Sequence, residues 1–127
     1  GPKVVPFHPR DGIGEGFRHG ETRLIDGVLH LFYHRMGDRP ESILHAIINT
    51  TGDWKDWTAS EPRLLLQPAL DWEGADLSLE TSVMGAATGR LRELRDPCYF
   101  EDQDGSRYLL YCGAPESGIG IARLEGF

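Results

Sequence analysis

The chain has no long apolar run, few basic residues and only two cysteines. No stretch approaches the roughly 18 consecutive apolar residues of a membrane-spanning helix, so we expect no membrane partner. Lysine and arginine total 13 against 20 aspartate and glutamate residues, for a net charge of −7. Because phosphate binding needs a basic face, this balance argues against a nucleic-acid partner.

No basic segment followed by an apolar one occurs near residue 1, so the sequence shows no pattern of a secretory signal. We therefore expect a soluble protein that is cytoplasmic by default, with export left open. The Gly1-Pro2 pair is typical of the remnant of a cleaved tag, which would hide the native start. The hydrophobic share of 39% and charged share of 26% are typical of a single globular domain.

The two cysteines lie on the two arms of a predicted hairpin. A two-residue turn at Asp104-Gly105 would pair Cys98 with Tyr111, which puts the sulfurs on opposite faces and disfavours a disulfide. A one-residue bulge in the loop would instead place Cys98 opposite Cys112 and allow the bridge. We expect two buried free thiols, and the bridge stays open.

The sequence does contain 16 glycines and 8 prolines, which is typical of a protein built from tight turns. An Asp-Gly turn, an aromatic strand, a Pro-Glu-Ser triplet and an apolar strand occur twice in this order. The Asp-Gly pairs begin at Asp26 and Asp104, and the triplets begin at Pro40 and Pro115. A repeat built from hairpins indicates stacked sheets that cannot bury their faces alone.

This repeat divides the single domain into an extended segment (1–20), a first blade (21–67), a long connection (68–94) and a second blade (95–127). Residues Val4-Val5 are predicted to form a short strand in the first segment, and residues 80–85 are candidates for extended chain. The other predicted strands are 21–25, 29–35, 43–51, 63–67, 96–100, 107–112 and 118–124.

The sequence Arg95-Asp96-Pro97, followed by Tyr99-Phe100, an Asp-Gly turn and the aromatic strand 108–111, resembles a blade of the five-bladed β-propeller glycosidases of glycoside hydrolase families 43 and 32. The first copy, with Arg18-His19 before its Asp-Gly turn, is similar to the preceding blade. The resemblance implies an all-β fold, a partial five-bladed β-propeller of about two antiparallel four-stranded blades. It also implies that Asp96 stabilises the transition state or tunes a pKa, and that His19 occupies the equivalent place one blade earlier.

Glycoside hydrolysis requires one protonated and one ionised carboxyl group. When carboxyl groups cluster, the pKa of one is raised while its neighbours stay ionised, which meets this requirement. Glu41 and Glu116 recur at the same repeat position, and Glu80 is able to reach a channel from the long connection. Trp72 would either stack on a sugar or fill the core. The candidate catalytic residues are Asp96, Glu116 and Glu80, and the candidate substrate-binding residues are Arg95, His19, Trp72 and Glu41.

The chain departs from this family because it supplies about two of five blades and has no N-terminal aspartate to act as nucleophile or base. We therefore expect a glycoside hydrolase-like protein that acts on or binds carbohydrate. The alternative is a non-catalytic carbohydrate-binding or assembly module, or a propeller fragment without activity. Open sheet edges predict a homo-oligomer, most simply a dimer.

No cofactor or metal site is predicted. His30 and His34 would lie about 13 Å apart along one strand, too far to share a metal ion. His8, His19 and His45 would converge only through tertiary packing.

Overall fold

The computed structural model describes residues 16–126, which form two antiparallel sheets. The strands are β1 (Phe17–Ile25), β2 (Val28–Arg35), β3 (Ile43–Asn49), β4 (Arg63–Leu66), β5 (Leu94–Glu101), β6 (Arg107–Gly113) and β7 (Gly118–Leu124). The first sheet has the order β1-β2-β3-β4, and the second has the order β5-β6-β7. No helix in this part of the chain is long and apolar enough to cross a membrane.

The first hairpin turns at Asp26 and Gly27, as the sequence predicts. Their φ angles are 49° and 78°, and this left-handed backbone matches a two-residue turn to the twist of the flanking strands. Ile25 and Val28 pair directly across the turn. The local turn chemistry therefore sets the register of β1 and β2.

Strand β2 buries both of its faces, as its alternation predicts. Phe32 and His34 share one face, Leu31 and Tyr33 share the other, and all four are buried. The face with Phe32 contributes to a core that joins the two sheets through Phe32, Ile43, Leu94, Leu109, Tyr111 and Leu124. Strand β5 lies against β1 and β2 at this interface. The two sheets are therefore stacked on each other through an apolar layer.

The second hairpin differs from the two-residue turn predicted at Asp104 and Gly105. Glu101 pairs with Arg107, so residues 102–106 form a longer loop. Only Gly105 of the Asp-Gly pair has a positive φ, 82°. The two-residue turn of the first hairpin needs positive φ at both positions, which explains why the same dipeptide closes a different loop here.

Both cysteine registers predicted from the sequence are wrong. Cys98 pairs with Leu110, and a bulge between Arg95 and Cys98 shifts the ladder so that Arg95 pairs with Cys112. The two thiols are free, as expected, but Cys98 is exposed rather than buried. The longer loop gives Cys98 a different partner on β6, and the bulge gives Cys112 a different partner on β5. Neither feature was predicted from the sequence.

The long connection after β4 packs across both sheets. It contains a short 3₁₀ helix, Asp71–Glu73, whose Trp72 ring stacks on Tyr111 with ring centroids 5.9 Å apart. Farther along, the carbonyl and hydroxyl oxygens of Ser82 accept hydrogen bonds from the backbone N–H of Gly37. Residues 80–85, a candidate for extended chain, form no strand.

The all-β fold and the strands of both hairpins are confirmed, with small differences at their ends. Strand β1 begins at Phe17, four residues before the predicted start. The first sheet has the predicted four strands, whereas the described part of the second has three. The strand predicted at Val4-Val5 lies outside the described residues. Arrangement of the sheets as blades of a ring stays a prediction.

Candidate functional site

The starts of β1 and β5 meet where the two sheets stack. His19 of β1 and Asp96 of β5 form a hydrogen bond although they are 77 residues apart in sequence. Each lies in an irregular stretch of its strand, between Phe17 and Gly20 in β1 and between Arg95 and Cys98 in β5. Such bulges redirect side chains away from the regular ladder, and here they turn two polar side chains toward each other.

Asp96 also has an unusual backbone. Its φ is 51°, in the left-handed region that non-glycine residues seldom adopt. Aspartate tolerates this region better than most residues because its short polar side chain can bond locally. Backbone of this kind is concentrated at functional sites, where the surrounding structure fixes it.

Behind this pair lies a buried histidine and carboxylate. His34, at the end of β2, and Glu41, just before β3, are both fully buried. The His34 Nδ1 forms a hydrogen bond with Glu41 Oε1. The His34 Nε2 lies 3.3 Å from Asp96 Oδ1, but it has no hydrogen-bond partner among the described residues. The ring is therefore fixed on one side and directed at Asp96 on the other.

Arg95 connects the carboxylates that surround this histidine. Its guanidinium donates to Glu93 Oε2 over 2.9 Å and lies 3.6 Å from Glu41 Oε2 and 4.0 Å from Glu116 Oε1. Arg18 of β1 lies 3.4 Å from Glu41 Oε2. Buried charges need such partners because an isolated ion in the interior is strongly disfavoured.

These contacts determine the charge of the two central carboxyl groups. Burial acts to raise the pKa of Glu41, but hydrogen bonds from His34 and Ser82 and the charge of Arg95 bring that pKa below its ordinary value. Burial likewise opposes ionisation of Asp96, and the hydrogen bond from His19 and the charge of His34 outweigh it, so its pKa is also lowered. Both groups are ionised at neutral pH.

A cavity of about 350 Å³ adjoins the cluster at Arg95. The long connection forms most of its wall, including Glu80 and Arg92. The carbonyl oxygen of Gly85, which also lines this cavity, accepts hydrogen bonds from Arg18 and Arg95. The cavity and the cluster of charges therefore adjoin at Arg95 and at the carbonyl group of Gly85.

The structure brings together most of the residues that the sequence selected. Asp96, His19, Arg95 and Glu41 belong to the cluster, and Glu116 lies at its edge with its side chain 54% exposed. Glu80 is exposed and lines the adjoining cavity, where its carboxylate accepts a hydrogen bond from Ser78. Their catalytic and substrate-binding roles stay predictions.

Trp72 takes a different position from these residues. Its ring covers β6 and β7, where a Cβ added at Gly113 or Gly120 would come within 2.6 Å of it. The ring occupies the space that the two glycines leave, but 37% of the residue stays exposed, so both alternatives for Trp72 stay predictions.

Sequence reasoning missed His34, Glu93 and Arg18. A histidine at a strand end, seven residues before a glutamate, was the available signal for His34 and Glu41. This spacing predicts a contact between the two side chains only if both are buried, because an exposed histidine and glutamate would each be solvated by water.

Comparison with known proteins found similarity to the uncharacterized protein R118 of Acanthamoeba polyphaga mimivirus. The two sequences are 41% identical over 115 residues, which is 90% of this chain and 32% of the viral protein. The chain therefore spans about a third of that relative's length. No protein-family model matches the chain, and no solved structure matches it.

Proposed function

We propose that the chain binds carbohydrate at the region where the two sheets meet, as part of a glycoside hydrolase-like propeller. The observation that carries this proposal is the hydrogen bond between His19 and Asp96, which occupy equivalent strand starts in the two hairpin repeats. In the glycosidases that the sequence resembles, the starts of the innermost strands line the channel that receives the sugar.

The cavity beside Arg95 suits a small polar ligand. Its volume of about 350 Å³ falls within the range of about 300–1,000 Å³ for small-molecule sites. Glu80 supplies an acceptor, and the buried Nε of Arg92 is a donor without a partner among the described residues. Sugar hydroxyls both donate and accept hydrogen bonds, so a wall that offers both kinds of group supports carbohydrate as the ligand.

Binding without hydrolysis is the form of this function that the geometry favours. Hydrolysis needs two carboxyl groups about 5–10 Å apart, one of them protonated. Glu41 and Asp96 are held ionised by their partners, so neither supplies the protonated group. Hydrolysis with Asp96 as the ionised group and Glu116 or Glu80 as the acid is the second candidate, supported by the position of Asp96 in its motif.

Calorimetric titration of the purified chain against oligosaccharides that differ in sugar and linkage tests the binding proposal. We expect at least one oligosaccharide to bind, and Glu80→Ala and Arg92→Ala to weaken binding about 10- to 100-fold, as for loss of a hydrogen bond to a charged group. Glu101→Gln, in the second hairpin and outside the cavity lining, is the matched control. Failure of every oligosaccharide to bind, or equal binding by Glu80→Ala, would contradict the proposal.

Product analysis on the bound oligosaccharide separates the two candidates. Hydrolysis predicts sugar release that Asp96→Asn abolishes while the affinity for the oligosaccharide is largely kept. Binding alone predicts that the oligosaccharide is recovered intact from the wild-type protein after long incubation.

A further inference from the structure

We propose that His19, His34 and Asp96 bind a divalent metal ion of the zinc type. Each residue offers one ligand atom, and the three atoms lie within 4.8 Å of one another. They come from three strands, β1, β2 and β5, and so from both sheets. Zinc sites use histidine nitrogens and carboxylate oxygens about 2.0–2.2 Å from the metal, so small side-chain adjustments would bring this set into range.

The buried His34 ring is the strongest evidence for the proposal. The side chain is fully buried, yet Nε2 has no hydrogen-bond partner among the residues that the structure describes. Buried polar atoms are nearly always satisfied by protein, water or an ion. This atom points into the group formed with His19 and Asp96, so a ligand held there would satisfy it.

The hydrogen bond to Glu41 indicates which kind of ligand His34 would accept. A carboxylate oxygen accepts, so the proton of that bond lies on His34 Nδ1. In the neutral ring with this proton on Nδ1, Nε2 carries a lone pair that faces Asp96 Oδ1 across 3.3 Å. Two acceptors facing each other repel unless a proton or a metal ion lies between them, and a bound metal ion would take the place of the proton and contact both atoms.

The same hydrogen bond has a known function behind metal ligands. Histidine ligands commonly donate their second ring N–H to a carboxylate, which fixes the tautomer and strengthens the ligand. Glu41 occupies this supporting position and is itself held by Arg18 and Arg95. It is thus a positioning residue for His34 rather than a ligand.

The donor set also selects the class of metal. Two imidazoles and one carboxylate suit zinc and related transition metals, whereas calcium and magnesium prefer oxygen ligands alone. Three protein ligands would leave a coordination position for water or a hydroxyl group. The His19 side chain is 74% exposed, so that position would be accessible from solvent.

This inference does not rest on the carbohydrate proposal. Binding of zinc without binding of sugar would support the metal site and contradict the proposed function. Binding of sugar without binding of zinc would support the proposed function and contradict the metal site. The oligosaccharide titration depends on Glu80→Ala and Arg92→Ala and the metal titration on His19→Ala, with different ligands, which makes their failures distinguishable.

Titration of the chelator-treated chain with Zn²⁺ by calorimetry, and with Co²⁺ by visible spectroscopy, tests the site. We expect one Zn²⁺ per chain and a Co²⁺ spectrum that Zn²⁺ abolishes. His19→Ala should weaken Zn²⁺ binding at least about 100-fold, since loss of even a group behind a ligand costs about 10- to 100-fold. The exposed His19 allows this change without loss of the fold, which circular dichroism would verify. Asp96→Asn should act in the same direction.

His45→Gln is the matched control, because His45 forms a separate pair with His30, whose Nδ1 lies 3.0 Å from His45 Nε2. Zinc binding that His45→Gln removes and His19→Ala leaves intact would assign the metal to that pair and overturn the proposal. Absence of Zn²⁺ binding by the wild-type chain would overturn it as well.

Discussion

His45 is a half-buried histidine outside the candidate site, and its surroundings favour the neutral ring. Its ring stacks on His30 of β2, with ring centroids 5.2 Å apart, and on Phe32 at 5.1 Å. Burial, followed by the positive charges of His30 and Arg63, lowers the pKa of His45 to about 4. Burial and the charge of Arg107 also lower the pKa of His30.

We predict that His45 makes the fold less stable as the pH falls from about 6.5 toward 4. An unfolded histidine takes up a proton near pH 6.5, whereas folded His45 does so only near pH 4. The unfolded state therefore binds more protons in this window, and stability decreases as the pH is lowered. The loss should amount to about 2 kcal/mol after allowance for partial exposure.

Urea unfolding at several pH values between 7 and 4 would measure this effect. His45→Gln should flatten the dependence of the unfolding free energy on pH, because the variant lacks the titrating ring. The surface change Gln67→Ala, which removes no titrating group, should leave the slope unchanged. Identical slopes for the wild type and His45→Gln would show that the ring does not titrate as the structure indicates.

At the scale of elements, the hairpins show what the sequence could predict and where prediction failed. The Asp26-Gly27 turn and the alternation along β2 depend on neighbouring residues, and both are confirmed. The loop at Asp104-Gly105 contains the same dipeptide but differs in length. On the far side of Cys98 the pairing of β5 with β6 changes again at the bulge beside Asp96, where β5 also lies against β1 and β2 of the other sheet. Long-range contacts of that kind leave no local pattern.

The candidate site divides in the same way. Asp96 and His19 were selected through the resemblance to the propeller glycosidases, because its Arg-Asp-Pro motif and the matching strand of the first copy can be identified from neighbouring residues. It did not predict that His34 would bond Glu41 and face Asp96, because both are polar residues whose burial depends on the stacking of two sheets. The buried ion pairs of Arg95 were missed for the same reason.

A matched pair of glycine substitutions tests how firmly the start of the long connection is packed against its end. Gly74 and Gly27 have nearly equal φ angles, 85° and 78°, so alanine costs about 1–2 kcal/mol at either position from backbone conformation. A Cβ at Gly74 would also lie 2.2 Å from the carbonyl oxygen of Leu91, whereas nothing lies within 4 Å at Gly27. Gly74→Ala should therefore be more destabilising by about 1–3 kcal/mol.

Thermal and urea unfolding of Gly74→Ala and Gly27→Ala, side by side, would measure this difference. Since the backbone term is shared, the excess reports the contact between Gly74 and Leu91. Equal destabilisation would mean that the segment with Gly74 moves away from Leu91 at little cost, and the cavity that the connection walls would then be adjustable rather than rigid.

At the scale of the molecule, the two sheets differ in how their outer faces are covered. The outer face of the first sheet buries Leu31, Tyr33, Leu44 and Ala46 with help from Ala59. On the second sheet, Ile119 is 75% exposed, Ile121 62% and Phe100 48%. An apolar face of this kind is typical of a surface that another sheet covers.

We predict that two copies of the chain cover this face by pairing through it. A patch that contacts the same patch on a second copy closes a two-fold dimer and leaves no further surface to extend. Ile121→Lys would place a charge in the centre of the contact and should shift the chain to monomer. Leu24→Lys, at a similarly exposed apolar position on the first sheet, should not.

Light scattering over a series of concentrations would measure the mass of each form. The wild type and Leu24→Lys should approach twice the 14.2 kDa chain mass as the concentration rises, and Ile121→Lys should not. A wild-type chain that is monomeric throughout would rule out pairing through the second sheet, since mass action favours the dimer most at the highest concentration. If both lysine variants lost association equally, the contact would not be specific to the second sheet, because the charge on the first sheet would then disrupt it as much as the charge on the second.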